Sequence, residues 1–243
     1  MKPGHNEGSP RKAAFSRAGI LAGIVRGQAL AASALAYGMV FGVLASKARL
    51  TALEAALMSA SVYSGSAQLA VLQGWSSAPL LLPVVAIILL MNARYLLYGA
   101  ALRPWLGALP PHQTYPSLFF LGDGNWALAM KRYGAGELDA GFVLGSGLVM
   151  YVAWVLGTVV GHIAGSAIGE PERFGLDFML VAFSAALAVD FWKGRELVKP
   201  ALAALLTALL CDRAAPGGWT IVASGLAGAT VAYLAYRETG HGH

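Results

Sequence analysis

Asp123 lies between Gly122 and Gly124 inside an apolar stretch, and it is the most pointed chemical signal in the chain. A carboxylate held away from water at membrane depth is a group that can take up and release a proton. A loop aspartate at the membrane interface is the alternative, and the two glycines suit that as well. His162, also in an apolar stretch, is a second group able to carry a proton, although a lone histidine more often makes a structural hydrogen bond. Ser59, Ser61, Tyr63, Ser64, Gly65, Ser66 and Gln68 crowd polarity and flexibility into ten positions. On a helix Ser61, Ser64 and Gln68 stand at i, i+3 and i+7 and share one face. Gly65, between two serines, is where such a helix would loosen, and loosened backbone offers amides and carbonyls to both ends of a zwitterion. Serines bonding back to their own helix are the bland alternative, but a glutamine in lipid is costlier than a serine. Asn92 and Arg94 form a third group. Arg94 can snorkel to the near interface, pair with an acidic side chain, or meet a substrate carboxylate.

Such residues need elements that hold them in an apolar medium. Of 243 residues 57% are hydrophobic and only 12% charged, and the mean hydropathy is +0.62. The apolar residues come in long runs, and about 20 in a row let a helix cross the hydrocarbon core. Lipid offers no hydrogen-bond partners, so such runs are helices or a closed barrel, and a barrel would alternate apolar with polar. The expected fold is all-α, a polytopic bundle of seven or eight membrane segments with breaks allowed in some. Eight segments fall near 20–46, 52–74, 78–101, 117–131, 140–165, 176–192, 198–213 and 218–236. Pro110-Pro111 and Pro116 break the chain between the third and fourth. Residues 1–17 read as a disordered cytoplasmic tail, 18–237 as one transmembrane transport domain and 238–243 as a second tail. Asp177 and Asp190 bracket the sixth segment as end markers.

The fourth segment is short and carries Gly122-Asp123-Gly124-Asn125 at its middle, so charge bias must decide whether it crosses. If it does, and the N-terminus is cytoplasmic, the inner side holds Lys2, Arg11, Lys12, Arg17, Lys131, Arg132, Lys193, Arg195, Lys199 and Arg237. The outer side then holds Lys47, Arg49, Arg103, Arg173 and Arg213. Without that crossing the balance becomes six inside to nine outside. The positive-inside rule therefore favours a crossing, with both termini in the cytoplasm. Small residues four apart, Gly38 with Gly42 and then Gly157, Gly161 and Gly165, mark faces where helices approach closely. No internal sequence repeat supports the symmetry common among transporters.

The single cysteine, Cys211, excludes an internal disulfide and a cysteine metal cluster, and no cofactor is expected. The net charge of +5 is spread over tails and loops, which does not point to nucleic acid. There is no Gly-x-Ser-x-Gly elbow, no His-Glu-x-x-His pair, no Walker loop and no second aspartate placed to pair with Asp123, so the chain is not expected to be an enzyme.

Three blocks carry a family resemblance: Tyr37-Gly38-Met39-Val40-Phe41-Gly42-Val43-Leu44-Ala45, then Ser61-Val62-Tyr63-Ser64-Gly65-Ser66-Ala67-Gln68, then Asn92-Ala93-Arg94-Tyr95-Leu96-Leu97-Tyr98-Gly99. With Trp154-Val155-Leu156-Gly157-Thr158 and Gly175-Leu176-Asp177-Phe178, they make the chain resemble the AzlC-type large subunit of branched-chain amino acid permeases over nearly its whole length. In that family an acidic residue opens the fourth segment and another acidic or polar residue follows. Asp123 matches, whereas Gly124-Asn125 departs from the pattern. The resemblance implies a proton-driven exporter of branched-chain and related small apolar amino acids in a bacterial inner membrane. It also implies a small AzlD-type membrane subunit of about four helices as partner. On this reading Ser61, Ser64, Gly65, Gln68, Asn92 and Arg94 contact the solute, Gly38 and Gly42 leave room for its aliphatic side chain, and Asp123 takes the coupling proton. A carrier or channel for another small solute, or a membrane assembly subunit that moves nothing, are the rival readings.

Overall fold

The computed structural model describes residues 13–73, 75, 81–167, 185, 189, 192, 194–214 and 218–239. Among these the chain is helical, as expected: α1 Arg17–Arg26, α2 Gln28–Lys47, α3 Ala52–Val62, α4 Gly65–Gln73, α5 Leu81–Asn92, α6 Arg94–Leu106, α7 Pro111–Phe119, α8 Asp123–Gly134 and α9 Gly141–Ala167. A 3-10 turn, Arg195–Leu197, leads into α10, Val198–Ala214, and α11 is Gly218–Thr239. Three stretches are long and apolar enough to cross a membrane: Gln28–Lys47, Leu81–Leu106 and Gly141–Ala167. Large apolar side chains such as Leu81, Leu89, Leu96 and Leu97 stay exposed on them, as lipid-facing residues do. Of the sixth expected segment, 176–192, only residues 185, 189 and 192 are described, and Asp177 and Asp190 lie outside the described residues.

The helices sort into two compact units. The first comprises residues 1–36 and 94–156. Here the tail expected for 1–17 proves too long. Ala14 pairs with Asp139 across a single bridge, and Ser16 caps α1 by accepting from the Gly19 amide at 3.0 Å. The Ser16 amide and hydroxyl both donate to the Asp139 carboxylate, which fixes the foot of α1 to the foot of α9. Any side chain at Gly23 would run into the Phe142 carbonyl and the Ser146 amide, so α1 lies tight along α9.

In the same unit α6 and α8 run side by side in the same direction. Arg94 meets Asp123 at their starts, Tyr98 stacks on Trp126, and Trp105 stacks on Tyr133 near their ends. The start of α7 is tied to the end of α6, because the Thr114 hydroxyl donates to the Leu106 carbonyl at 3.0 Å. So α7 leaves the foot of α6, the chain turns at 120–122, and α8 comes back. With 9 and 12 residues the two arms reach about 14 and 18 Å, short of the roughly 30 Å core. The fourth segment is a helical hairpin rather than a crossing, which corrects the charge-based expectation. That count took Arg103 and Lys131–Arg132 to opposite faces, whereas the Trp105–Tyr133 contact brings their helix ends together. Pro110-Pro111 do stand at a break, between α6 and α7: Pro110 caps α7 and Pro111 opens it, where a missing amide costs nothing. Pro116, expected as a break, sits inside α7 instead.

The second unit comprises residues 37–93 and 157–243. A capping box starts α3: the Thr51 hydroxyl accepts from the Glu54 amide, and the Glu54 carboxylate accepts from the Thr51 amide at 2.7 Å. The helix ends at Tyr63, and α4 folds back against it. Gln68 donates to Ser59 at 3.0 Å, although nine residues of straight helix would hold them about 14 Å apart. Trp75 likewise lines one apolar pocket with Leu50, Glu54 and Met58. The second segment, expected as one crossing with a loosened point at Gly65, is thus folded as a second hairpin. Gly42 lies against the α9 backbone at Thr158 and His162, and Gly161 against Met39. The Lys47 ammonium caps the Gly165 carbonyl at 3.0 Å, and His162 donates from Nε2 to the Leu50 carbonyl at 2.8 Å. A core of Val71, Ile87 and Val222 joins α4, α5 and α11, and α10 packs along α11.

Candidate functional site

The turn of the α3–α4 hairpin holds one of the two described non-glycine residues with positive φ, the other being Arg49. Tyr63 has φ 42° and ψ 47°, a left-handed conformation that is strained for a bulky residue. Next to it Ser64 is only 2% exposed, and its hydroxyl, sealed from solvent, has no hydrogen-bond partner. The Ser64 carbonyl accepts from the Gln68 amide at 2.9 Å and so starts α4. The last carbonyls of α3 and the first amides of α4 therefore meet at one interruption, with partial charges of opposite sign. Such a break can hold both an ammonium and a carboxylate.

Beneath this turn lies a buried polar knot. Ser59, Gln68 and Thr158 are each 0% exposed; Gln68 donates to Ser59, and the Ser59 and Thr158 hydroxyls are 2.7 Å apart. The knot anchors both arms of the hairpin to α9. Gly65 is not the loosened residue itself but the first residue of α4, one step after the break. Ser61 does not share a face with Ser64 and Gln68, because the chain turns between them. It is exposed and bonds back to the Leu57 carbonyl at 2.7 Å. Gly38 is buried, and the space at Gly42 is filled by α9, so Gly42 serves helix packing and does not leave room for a solute side chain. Asn92 ends α5 with its Oδ1 buried and unpartnered.

The turn of the α7–α8 hairpin, in the first unit, carries the charges. Arg94 Nη2 and Asp123 Oδ2 are 3.1 Å apart, and the Tyr98 hydroxyl donates to Asp123 Oδ1 at 2.8 Å. Asp123 is 47% exposed in its side chain, so it is an accessible, paired carboxylate and not a sealed one. Tyr98 stacks on Trp126 with centroids 4.3 Å apart, and the Arg94 guanidinium carbon lies 5.4 Å from the centre of the Tyr95 ring. Asn125, fully buried, accepts from the Gly122 amide at 2.6 Å and donates to the Phe120 carbonyl at 3.3 Å. It holds the turn in shape. Together these residues form an ion pair in an aromatic setting.

Sequence reasoning missed Tyr98, Trp126 and Thr158, and took Ser59 only as one member of the polar cluster. Tyr98 stands four residues after Arg94 and Trp126 three after Asp123, so helical spacing alone would have placed both beside the charged residues. Nothing in the sequence distinguishes Ser59 or Thr158 from ordinary packed hydroxyls. Among the described residues no three histidine, cysteine or acidic side chains gather as a metal site.

A family model described as AzlC protein matches residues 29–168. An uncharacterized membrane protein of Archaeoglobus fulgidus is 30% identical over 159 residues, 65% of this chain and 68% of that protein. One from Helicobacter pylori is 26% identical over 183 residues, covering 73% and 77%. Inner membrane protein YgaZ of Escherichia coli is 27% identical over 164 residues, covering 65% and 67%. No solved structure matches.

Proposed function

Because the chain belongs to the AzlC family of membrane proteins, we propose that it is a secondary transporter that exports branched-chain and related small apolar amino acids in exchange for protons. Its place is a bacterial inner membrane with both termini in the cytoplasm, and a small AzlD-type subunit works beside it. The observation that carries the reading is the interrupted α3–α4 hairpin, whose turn holds a strained Tyr63 and a buried Ser64 hydroxyl with no partner. A polar group is costly to bury unsatisfied, and a break at a helix interruption is where secondary transporters place solute. The Ser64 hydroxyl is the polar contact that this turn offers the solute, with Gln68 shaping the turn from below. Asp123 takes the proton.

Efflux tests this. Cells are loaded with a branched-chain dipeptide, with and without the small companion, and intracellular valine, leucine, isoleucine and methionine are followed. Faster loss that needs the chain and is abolished by collapsing the proton gradient is the expected result. No acceleration for any of the four, with both proteins in the membrane, would remove the substrate assignment and leave the family and the fold in place.

A further inference from the structure

Both carboxylate oxygens of Asp123 are engaged, Oδ2 by Arg94 and Oδ1 by Tyr98. Arg94 and Asp123 cancel each other's charge, and the Arg94 side chain is only 20% exposed. The titratable groups facing this pair are Tyr98 and Tyr95, both from α6. At the neighbouring Gly124, α2 and α9 contribute Leu30 and Met150, both apolar. The pair thus sits between the start of α6 and the turn of a hairpin, where the largely buried Arg94 charge would be costly if left alone.

An α-amino acid carries the same two charges, an ammonium and a carboxylate, one carbon apart. Placed between Arg94 and Asp123 with its carboxylate toward the guanidinium and its ammonium toward the aspartate, it replaces one ion pair by two. No charge is left uncompensated. The rings of Tyr98 and Trp126 beside Asp123 add a surface that favours an ammonium group. We propose that the zwitterion inserts into the Arg94–Asp123 pair, making Arg94 the carboxylate-binding residue and Asp123 the ammonium-binding residue. This rests on the reading that the solute is an amino acid.

The insertion explains the coupling. Asp123 accepts one partner at a time on Oδ2: Arg94, the solute ammonium or a proton. A proton taken from the outer medium removes the carboxylate's charge, the ammonium loses its partner and the solute is released. The same proton leaves Asp123 to water on the inner side, which restores the charge for the next solute. Proton and solute compete, as an exchanger requires.

The test is binding of radiolabelled leucine to the purified protein in lipid nanodiscs, with unlabelled leucine, leucinamide and 4-methylpentanoate as competitors. Leucinamide lacks the carboxylate and 4-methylpentanoate lacks the ammonium. In the wild-type protein leucine should compete at least about tenfold better than either, one ion pair's worth, and its affinity should fall once the buffer is acid enough to protonate Asp123. Arg94→Gln should weaken leucine to the level of leucinamide, and Arg94→Lys should restore part of the difference. Asp123→Asn should weaken leucine and flatten its pH dependence. The exchanged variant Arg94→Asp with Asp123→Arg, which keeps the pair, should recover binding if either single variant folds poorly. Full preference for leucine over leucinamide in Arg94→Gln, or an unchanged pH dependence in Asp123→Asn, overturns the insertion while leaving the exporter reading intact. A wild-type protein that binds no amino acid at any pH overturns both.

Discussion

Ser59 and Gln68 stand nine residues apart, yet their buried side chains share a 3.0 Å hydrogen bond, which is possible only because α4 folds back on α3. The bond links the two arms, and Thr158 extends it to α9. Gln68→Leu should therefore loosen the hairpin, leaving Ser59 short of a partner in a dry setting. A loss of about 1–3 kcal/mol is expected, read as a lower midpoint in thermal unfolding of the detergent-solubilised protein. The double variant Ser59→Ala with Gln68→Leu should lose less than the sum of the two, since each removes the same bond.

Ser64 should behave in the opposite way. Its hydroxyl is buried without a partner, so Ser64→Ala removes an unsatisfied group and should leave stability unchanged or raise it by about 1 kcal/mol. On the proposed reading, in which the hydroxyl contacts the solute, efflux should nevertheless fall several-fold. An alanine variant that is stable and fully active would strip Ser64 of that role.

Gly42 packs on the α9 backbone with no space for a side chain. Gly42→Leu should force the helices apart and reduce the amount of folded protein, whatever the solute. Gly134, with nothing within 4 Å of a would-be side chain, is the control, and Gly134→Ala should be tolerated. Size-exclusion profiles after mild detergent extraction read both.

The hairpin geometry predicts labelling as well as stability. In a Cys211→Ser background, Arg49→Cys and Trp75→Cys flank the α3–α4 hairpin and should react with a membrane-impermeant thiol reagent from the same side. His112→Cys and Glu137→Cys, flanking α7–α8, should likewise agree with each other. Labelling of either pair from opposite sides would show a crossing helix in place of the hairpin.

Tyr98→Phe removes the hydrogen bond to Asp123 and keeps the stack on Trp126. A modest destabilisation of about 1 kcal/mol is expected, with the proton dependence of efflux shifted more than its maximal rate.

Apolar run length was enough to read α9 almost to the residue and to place α10 and α11. The polar cluster from Ser59 to Gln68 also drew attention to the right turn. What could not be read was direction. A straight helix and a helix folded back on itself present the same apolar stretch, and the difference lies in a few dihedral angles around Tyr63. Glycine was the natural candidate for a left-handed position, yet the tyrosine before Ser64 takes it and Gly65 starts the next helix. Arg94 and Asp123 were each flagged, but 29 positions separate them and nothing local says that they meet. Once Asp123 is seen paired and accessible, its earlier description as a lone carboxylate in apolar surroundings no longer applies.

A helix that crosses the bilayer reverses the side on which everything after it lies, whereas a hairpin contributes nothing to that parity. The feet of α7 and α8 therefore return Arg103, Lys131 and Arg132 to a single face, next to the Ser16–Asp139 tie. Residues can be added to or removed from the turn of such an element without inverting the rest of the chain. The turns of the α3–α4 and α7–α8 hairpins are thus places where sequence can change while the orientation of the molecule stays fixed.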